Sequence, residues 1–125
     1  MDDFNSDVVA AEIRAAFDRY EAALIANDVA ALVSFFRPDA QAIRMMNDRG
    51  LYGIDEIAAF RKGRDASDVA RRLLRVEIRV LAADIGVASA EYRRLGSGLH
   101  GAQTQVWQRG ADGWRIAAAH VSLGS

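Results

Sequence analysis

Gln103, Gln105, His120 and Ser122 sit at alternate positions of GAQTQVWQRGADGWRIAAAHVS, residues 101 to 122, where a strand pair should present an apolar face. Side-chain amides both donate and accept hydrogen bonds, and a neutral imidazole relays protons near pH 7. The set therefore suits a small ligand that carries carbonyl and amide groups. Gly110-Ala111-Asp112-Gly113 marks a turn. With Arg109 and Trp114 flanking it, Trp107 falls opposite Ile116, Gln105 opposite Ala118 and Gln103 opposite His120, and directly paired residues share a face. That face would carry aromatic bulk at Trp107 and polar groups at its other end, as one wall of a concave pocket.

Two residues nearer the N-terminus have chemistry of their own. Tyr20 lies one turn beyond Phe17 on an apolar helix face, so its hydroxyl needs a partner, either a pocket ligand or, more plainly, a carbonyl or water. Arg44 is the charged residue of a strand-like run whose alternation puts it beside Ala40 and Ala42. Small neighbours leave room for a carboxylate held bidentately by the guanidinium, and the plain alternative is an arginine reaching solvent. Tyr52 follows the Gly50 turn as a candidate pocket wall. Glu91 is a candidate base or a partner for Arg44, its face undetermined, or else a cross-strand partner of Arg93 or Arg75. Arg61 and Arg64, three residues apart on a helix, can attract anions at the pocket mouth, but the preferred reading is a solvated helix face.

These residues need elements to position them. Val9, Ile13, Ala16, Phe17, Tyr20 and Leu24 recur at helical spacing, which predicts a helix over Val8 to Ala26 with Ser6 or Asp7 as N-cap. Asn27-Asp28 breaks it, and Asp28 caps a second helix over Val29 to Phe36, which Pro38 closes. A strand over Ala40 to Met46, a turn at 47 to 50 and a third helix from Asp55 to about Arg64 follow. Four strand-like segments complete the chain: Val69 to Ala83, Ile85 to Leu95, Leu99 to Arg109 and Trp114 to Leu123. Helices first and a meander last predict a single α+β domain over residues 1 to 125. Its form is a cone-shaped, curved antiparallel sheet with three N-terminal helices packed on its concave face.

Composition excludes several classes. With 51% hydrophobic and 26% charged residues the chain is that of a folded globular protein. A net charge of -1 argues against a nucleic-acid partner, which needs clustered cationic excess. The absence of cysteine removes disulfide scaffolds and thiol nucleophiles, and His100 and His120 have no metal-ligand spacing, so no metal is expected. No signal-peptide pattern and no run of about 18 apolar residues occurs. A cytoplasmic protein without a membrane partner is the simplest expectation.

The order of elements, closing in DGWRIAAAHVS, resembles the nuclear-transport-factor-two-like fold, also called SnoaL-like or cystatin-like, over nearly the whole chain. More narrowly, FDRYEAALIANDVAALVSFF, IRMMNDRGLYGIDEIAAFRKGR, AEYRRL and QTQVWQRGADGWRIAAAHVS resemble a bacterial family found with oxalurate catabolism and cyanuric acid (s-triazine) breakdown. Members of one kind in it are decarboxylating amidohydrolases of 1,3-dicarboxyurea. The resemblance implies catalytic roles for Tyr20, in the RYE segment, and for Arg44, in the matching IR pair.

The expectation is a cofactor-free hydrolase of a small carboxylated urea or amide. Arg44 would clamp a carboxylate and Tyr20 would stand at the scissile carbon-nitrogen bond, while Tyr52, Gln103, Gln105, Trp107, His120 and Ser122 line the substrate site. The alternative is a noncatalytic accessory protein that binds ureides or oxalurate. A ketosteroid-type isomerase ranks lower for want of an inward Asp base. Beyond a small anionic ureide or dicarboxylate, the expected partner is a second copy, paired through an outer sheet face of Thr104, Val106, Ala117, Ala119 and Val121.

Overall fold

Asn5 starts the first helix: its Oδ1 accepts from the amide of Asp7 at 2.9 Å and of Val8 at 3.4 Å, so the cap lies one residue before the two expected candidates. In the computed structural model, which describes residues 4–124, this helix, α1, spans Ser6–Ile25 and buries Val9, Ile13, Ala16, Phe17, Tyr20 and Leu24 along one stripe. Asp28 caps α2 (Val29–Ser34), its Oδ1 accepting from Ala31 at 3.1 Å. Short strands β1 (Ile43–Met45) and β2 (Gly50–Tyr52) form a hairpin ahead of α3 (Ile54–Gly63). Long strands β3 (Arg71–Ala82), β4 (Ile85–Arg94), β5 (His100–Gly110) and β6 (Gly113–Leu123) complete the chain.

The six strands form one sheet in the order β2-β1-β6-β5-β4-β3. β2 lies between the expected turn and the third helix, where no strand was expected, and β1 is shorter than its expected run. All neighbours pair antiparallel except β1 and β6, which run parallel through Arg44↔Ala119, so the expected all-antiparallel sheet is corrected at that seam. The pleat places Gly86, Ala88, Ala90 and Tyr92 of β4 on the inward face, where α1 packs. The small residues let the helix approach, and a Cβ on Gly86 would collide with Ile13. No helix among the described residues is long and apolar enough to cross a membrane.

One irregularity decides which side chains reach the interior. Arg109 pairs with Trp114 and Trp107 with Ile116, as the turn chemistry predicts, but Val106 then pairs with Ala118. Ala117 is the extra residue of a β-bulge, and a one-residue slip exchanges the two faces of a strand. Beyond the bulge Gln105 lies opposite Ala119 and Gln103 opposite Val121, while His120 faces Thr104 and Ser122 faces Ala102. His120 and Ser122 are accordingly exposed on the outer face. Ala119 and Val121 turn inward, which also corrects the set of residues expected on a pairing surface.

Gly101 supports the same interior face from the neighbouring strand. Its cross-strand partner is Tyr92, whose ring occupies the space a Cβ would need. Gly101→Ala is expected to lower folding stability by about 1–3 kcal/mol through overpacking, measurable by urea denaturation.

Candidate functional site

Three cations converge on Tyr20. The Tyr20 ring lies edge-on to Phe35 with centroids 5.6 Å apart, and its buried hydroxyl accepts a short hydrogen bond from Nη2 of Arg61. Arg61 lies on the inward side of the last turn of α3 and is only 2% exposed. Arg44 arrives from β1 with 7% exposure, its guanidinium 5.1 Å above the Phe60 ring. Arg64, directly after α3, completes the group. Nη1 of Arg44, Nε and Nη1 of Arg61, and Nε and Nη2 of Arg64 are buried without a hydrogen-bond partner. The cavity they share is also lined by Leu24, Val69, Arg71, Tyr92, Arg94, Gln103 and Val121, with no carboxylate among its walls.

A fourth arginine is neutralised. Arg71, at the start of β3, donates to both carboxylate oxygens of Glu21, through Nε at 3.1 Å and through Nη2 at shorter range. Nη2 also donates to Oε1 of Gln103 at 2.9 Å, and the guanidinium lies 4.2 Å over the Tyr92 ring. Gln103 closes the loop by donating to Glu21 at 3.4 Å. Glu21 and Arg71 form a buried pair with 9% and 5% side-chain exposure, so this network fixes the cavity wall and leaves Arg44, Arg61 and Arg64 uncompensated.

The excess charge tunes the groups that titrate. Burial opposes ionisation of the Tyr20 phenol, but Arg61, Arg44 and Arg71 together outweigh it and hold the phenol below its ordinary range. Arg44 is pushed down to about 10, first by burial and then by Arg61, and Arg64 is pushed down to about 10 for the same two reasons. A phenol held below its ordinary range among unsatisfied guanidiniums is a group that can exchange a proton beside a bound anion.

The expected residues divide cleanly. Tyr20, Arg44 and Gln103 come together in the cavity. Gln105 is buried, but its Oε1 accepts from Nε1 of Trp107 at 3.1 Å, and both belong to the floor beneath the site, where Trp107 packs against Phe35. Tyr52 is 58% exposed and covers Gly50 and Met45 on the outside of the β1–β2 hairpin, so it is no pocket wall. The Ala117 bulge turns His120 and Ser122 away from this cavity, and Ser122 instead borders the neighbouring cavity of Met46, Phe60 and Leu123. Glu91 points outward, so it is neither base nor Arg44 partner. The sequence reading undervalued Arg61 and Arg64 and overlooked Arg71, Glu21 and Tyr92 as site residues. The available signal was the three-residue spacing of the two arginines on one helix face.

The family model described as AtzH-like matches residues 2–125. A protein of unknown function from Pectobacterium atrosepticum is 46% identical with a TM-score of 0.88, over 94% of this chain and 91% of that one. A cystatin-like fold protein from Burkholderia xenovorans is 34% identical with a TM-score of 0.86, over 94% and 92%. A nuclear-transport-factor-two-like protein from Salmonella enterica is 21% identical with a TM-score of 0.79, over 97% and 94%, a likeness of fold. Comparison with curated proteins gives no match.

Two outcomes follow from the charges. Glu21→Gln leaves Arg71 buried without its counter-charge and is expected to cost about 3–5 kcal/mol in denaturant unfolding. The Tyr20 phenol is an acid with a depressed folded value. Its contribution to stability is therefore present above the unfolded phenol range and disappears as pH falls through the folded value. Stability should rise as pH approaches the ordinary phenol range from below in the wild type, and Tyr20→Phe should flatten that rise when unfolding is measured at stepped pH.

Proposed function

Since the chain belongs to the AtzH-like family, and since three guanidiniums meet around Tyr20 with no carboxylate lining their cavity, we propose that it hydrolyses a small carboxylated urea such as 1,3-dicarboxyurea. The unpartnered nitrogens of Arg44, Arg61 and Arg64 carry this reading. An unpaired buried charge costs several kcal/mol, and an anionic substrate is the counter-ion that removes the cost. The cavity is small, about 30 Å³, room for a water-sized group or one carboxylate end of a ligand and none for a steroid.

The reaction needs water as its only co-reactant. Ionised Tyr20 takes a proton from water, and the hydroxide adds to the terminal carboxylate carbon bonded to nitrogen. Arg44 and Arg61 balance the negative charge that grows on the carboxylate oxygens, a term that preorganised donors supply best. Collapse breaks the carbon-nitrogen bond, and the departing nitrogen takes the proton back from Tyr20. A dicarboxylated urea and one water thus give a monocarboxylated urea and bicarbonate, with atoms and charge in balance. Arg61 also fixes the Tyr20 hydroxyl, which orients it toward the reacting end.

One observation favours a second reading. Apart from the two tyrosines, the charged and polar groups of the cavity are arginines and a glutamine already engaged with Glu21 and Arg71. If Tyr20 accepts no proton, the site binds ureides without consuming them and serves as an accessory module.

Bicarbonate release from 1,3-dicarboxyurea tests the assignment. Tyr20→Phe is expected to lose on the order of a hundredfold or more in kcat while retaining binding. Arg44→Ala is expected to lose binding as well. Retained turnover in both variants would sink the hydrolytic mechanism, and wild-type binding without bicarbonate release would establish the accessory reading in its place.

A further inference from the structure

A second cavity adjoins the one around Tyr20. This outer cavity is walled by Met46, Asn47, Asp48, Phe60, Ser122 and Leu123 and shares Arg44, Arg64, Tyr92, Arg94 and Val121 with the inner. Arg61 belongs to the inner cavity alone, so the cations are graded in depth: Arg61 at the bottom, Arg44 and Arg64 at the junction. Arg94, also at the junction, has a counter-ion in Asp68 at 3.7 Å. Asp48, the carboxylate among the outer walls, pairs with neither Arg44 nor Arg64. Nε and Nη2 of Arg64, two of the nitrogens of its fork, remain buried and unpartnered.

From this grading we propose that Arg64 is the specificity-determining residue of the site, taking the second, unreacting carboxylate of a dianionic substrate whose first carboxylate lies deeper, on Arg44 and Arg61. The proposal rests on the anion-binding reading given above and adds a count. Arg44, Arg61 and Arg64 bring three positive charges with no carboxylate among the cavity walls, and even beside an ionised Tyr20 two remain, more than one carboxylate can neutralise. Two unpartnered N–H directions on a planar guanidinium match the two oxygens of a carboxylate. Position agrees with this role, because a residue at the junction of two cavities holds the outer end of a short linear ligand while its inner end reaches Tyr20. The assignment also gives a reason for product release. Hydrolysis at the inner end removes one of the two carboxylates, and the remaining monoanion no longer bridges the two positions.

Glutarate and its monoamide, glutaramate, test the proposal. They share a chain length that spaces two carboxyl carbons as a dicarboxylated urea does, and only the first carries both charges. Calorimetric titration of the wild type should show glutarate bound more tightly than glutaramate. Arg64→Gln should weaken glutarate roughly tenfold to a hundredfold, as loss of hydrogen bonds to a charged group does, and leave glutaramate nearly unchanged. Arg64→Lys should recover only part of the glutarate affinity, since it keeps the charge and loses the fork. Without ligand, Arg64→Gln should melt no lower than the wild type, because it relieves repulsion between buried cations. If Arg64→Gln weakens both ligands equally, or neither, the assignment of Arg64 is wrong while the anion site stands. If the wild type binds neither ligand, the anion-binding reading itself fails.

Discussion

The structure is organised around positive charge that the protein does not neutralise. Arg44, Arg61 and Arg64 are drawn from a strand, a helix and the loop after it, and each keeps buried nitrogen atoms without partners. Desolvating a guanidinium costs several kcal/mol even after relaxation, and three in one cavity also repel one another. A fold maintains such an arrangement when the cost is met elsewhere. Here it is met by the apolar floor of Ile13, Phe17, Leu32, Phe36, Trp107 and Ile116, every one of them at most 1% exposed. Each large side chain buried there contributes roughly 1.5–3 kcal/mol toward meeting that cost.

Glu21 and Arg71 show that the imbalance is selective. A carboxylate is present one residue from Tyr20, yet it turns to Arg71 and Gln103 and leaves the three other cations open. Consecutive helix positions are rotated by about 100°, so Tyr20 and Glu21 address different parts of the wall although both are buried. Tyr20 meets Arg61 from α3, and Glu21 meets the first residue of β3. The network locks Arg71 over Tyr92, and Tyr92 in turn depends on the bare backbone of Gly101. Wall rigidity and ligand attraction are thus carried by different arginines.

Much of the scaffold was legible from the sequence because the signals were local. The apolar stripe of α1, the Asp28 cap and the turn at residues 110 to 113 each follow from nearby residues. Tyr20 and Arg44 were legible for the same reason, as polar groups on otherwise apolar or small faces. The errors came from longer range. Nothing in Trp-Arg-Ile-Ala-Ala-Ala-His announces that one alanine is left unpaired, and that single residue sends His120 and Ser122 to solvent. Arg61 and Arg64 looked like a solvated helix face because charge on a helix usually is one, and their place in the cavity depends on Arg44 of β1 and Tyr92 and Arg94 of β4, which the chain brings there from a distance. The parallel seam between β1 and β6 was likewise hidden, since pairing partners 75 residues apart leave no local pattern.

The bulge and the arginines are consequences of one geometric demand. A regular β6 would have sent Ala119 and Val121 outward and brought a histidine and a serine in beside the guanidiniums. An imidazole there would add to the cationic excess whenever protonated, and a hydroxyl would give the free nitrogens an internal acceptor. With Ala117 unpaired, alanine and valine fill those inward positions and offer the arginines nothing to bind. The apolar lining of β6 lowers the local dielectric and keeps the three cations available, so the attraction of the site for an anion arises as much from what the bulge excludes as from the arginines themselves.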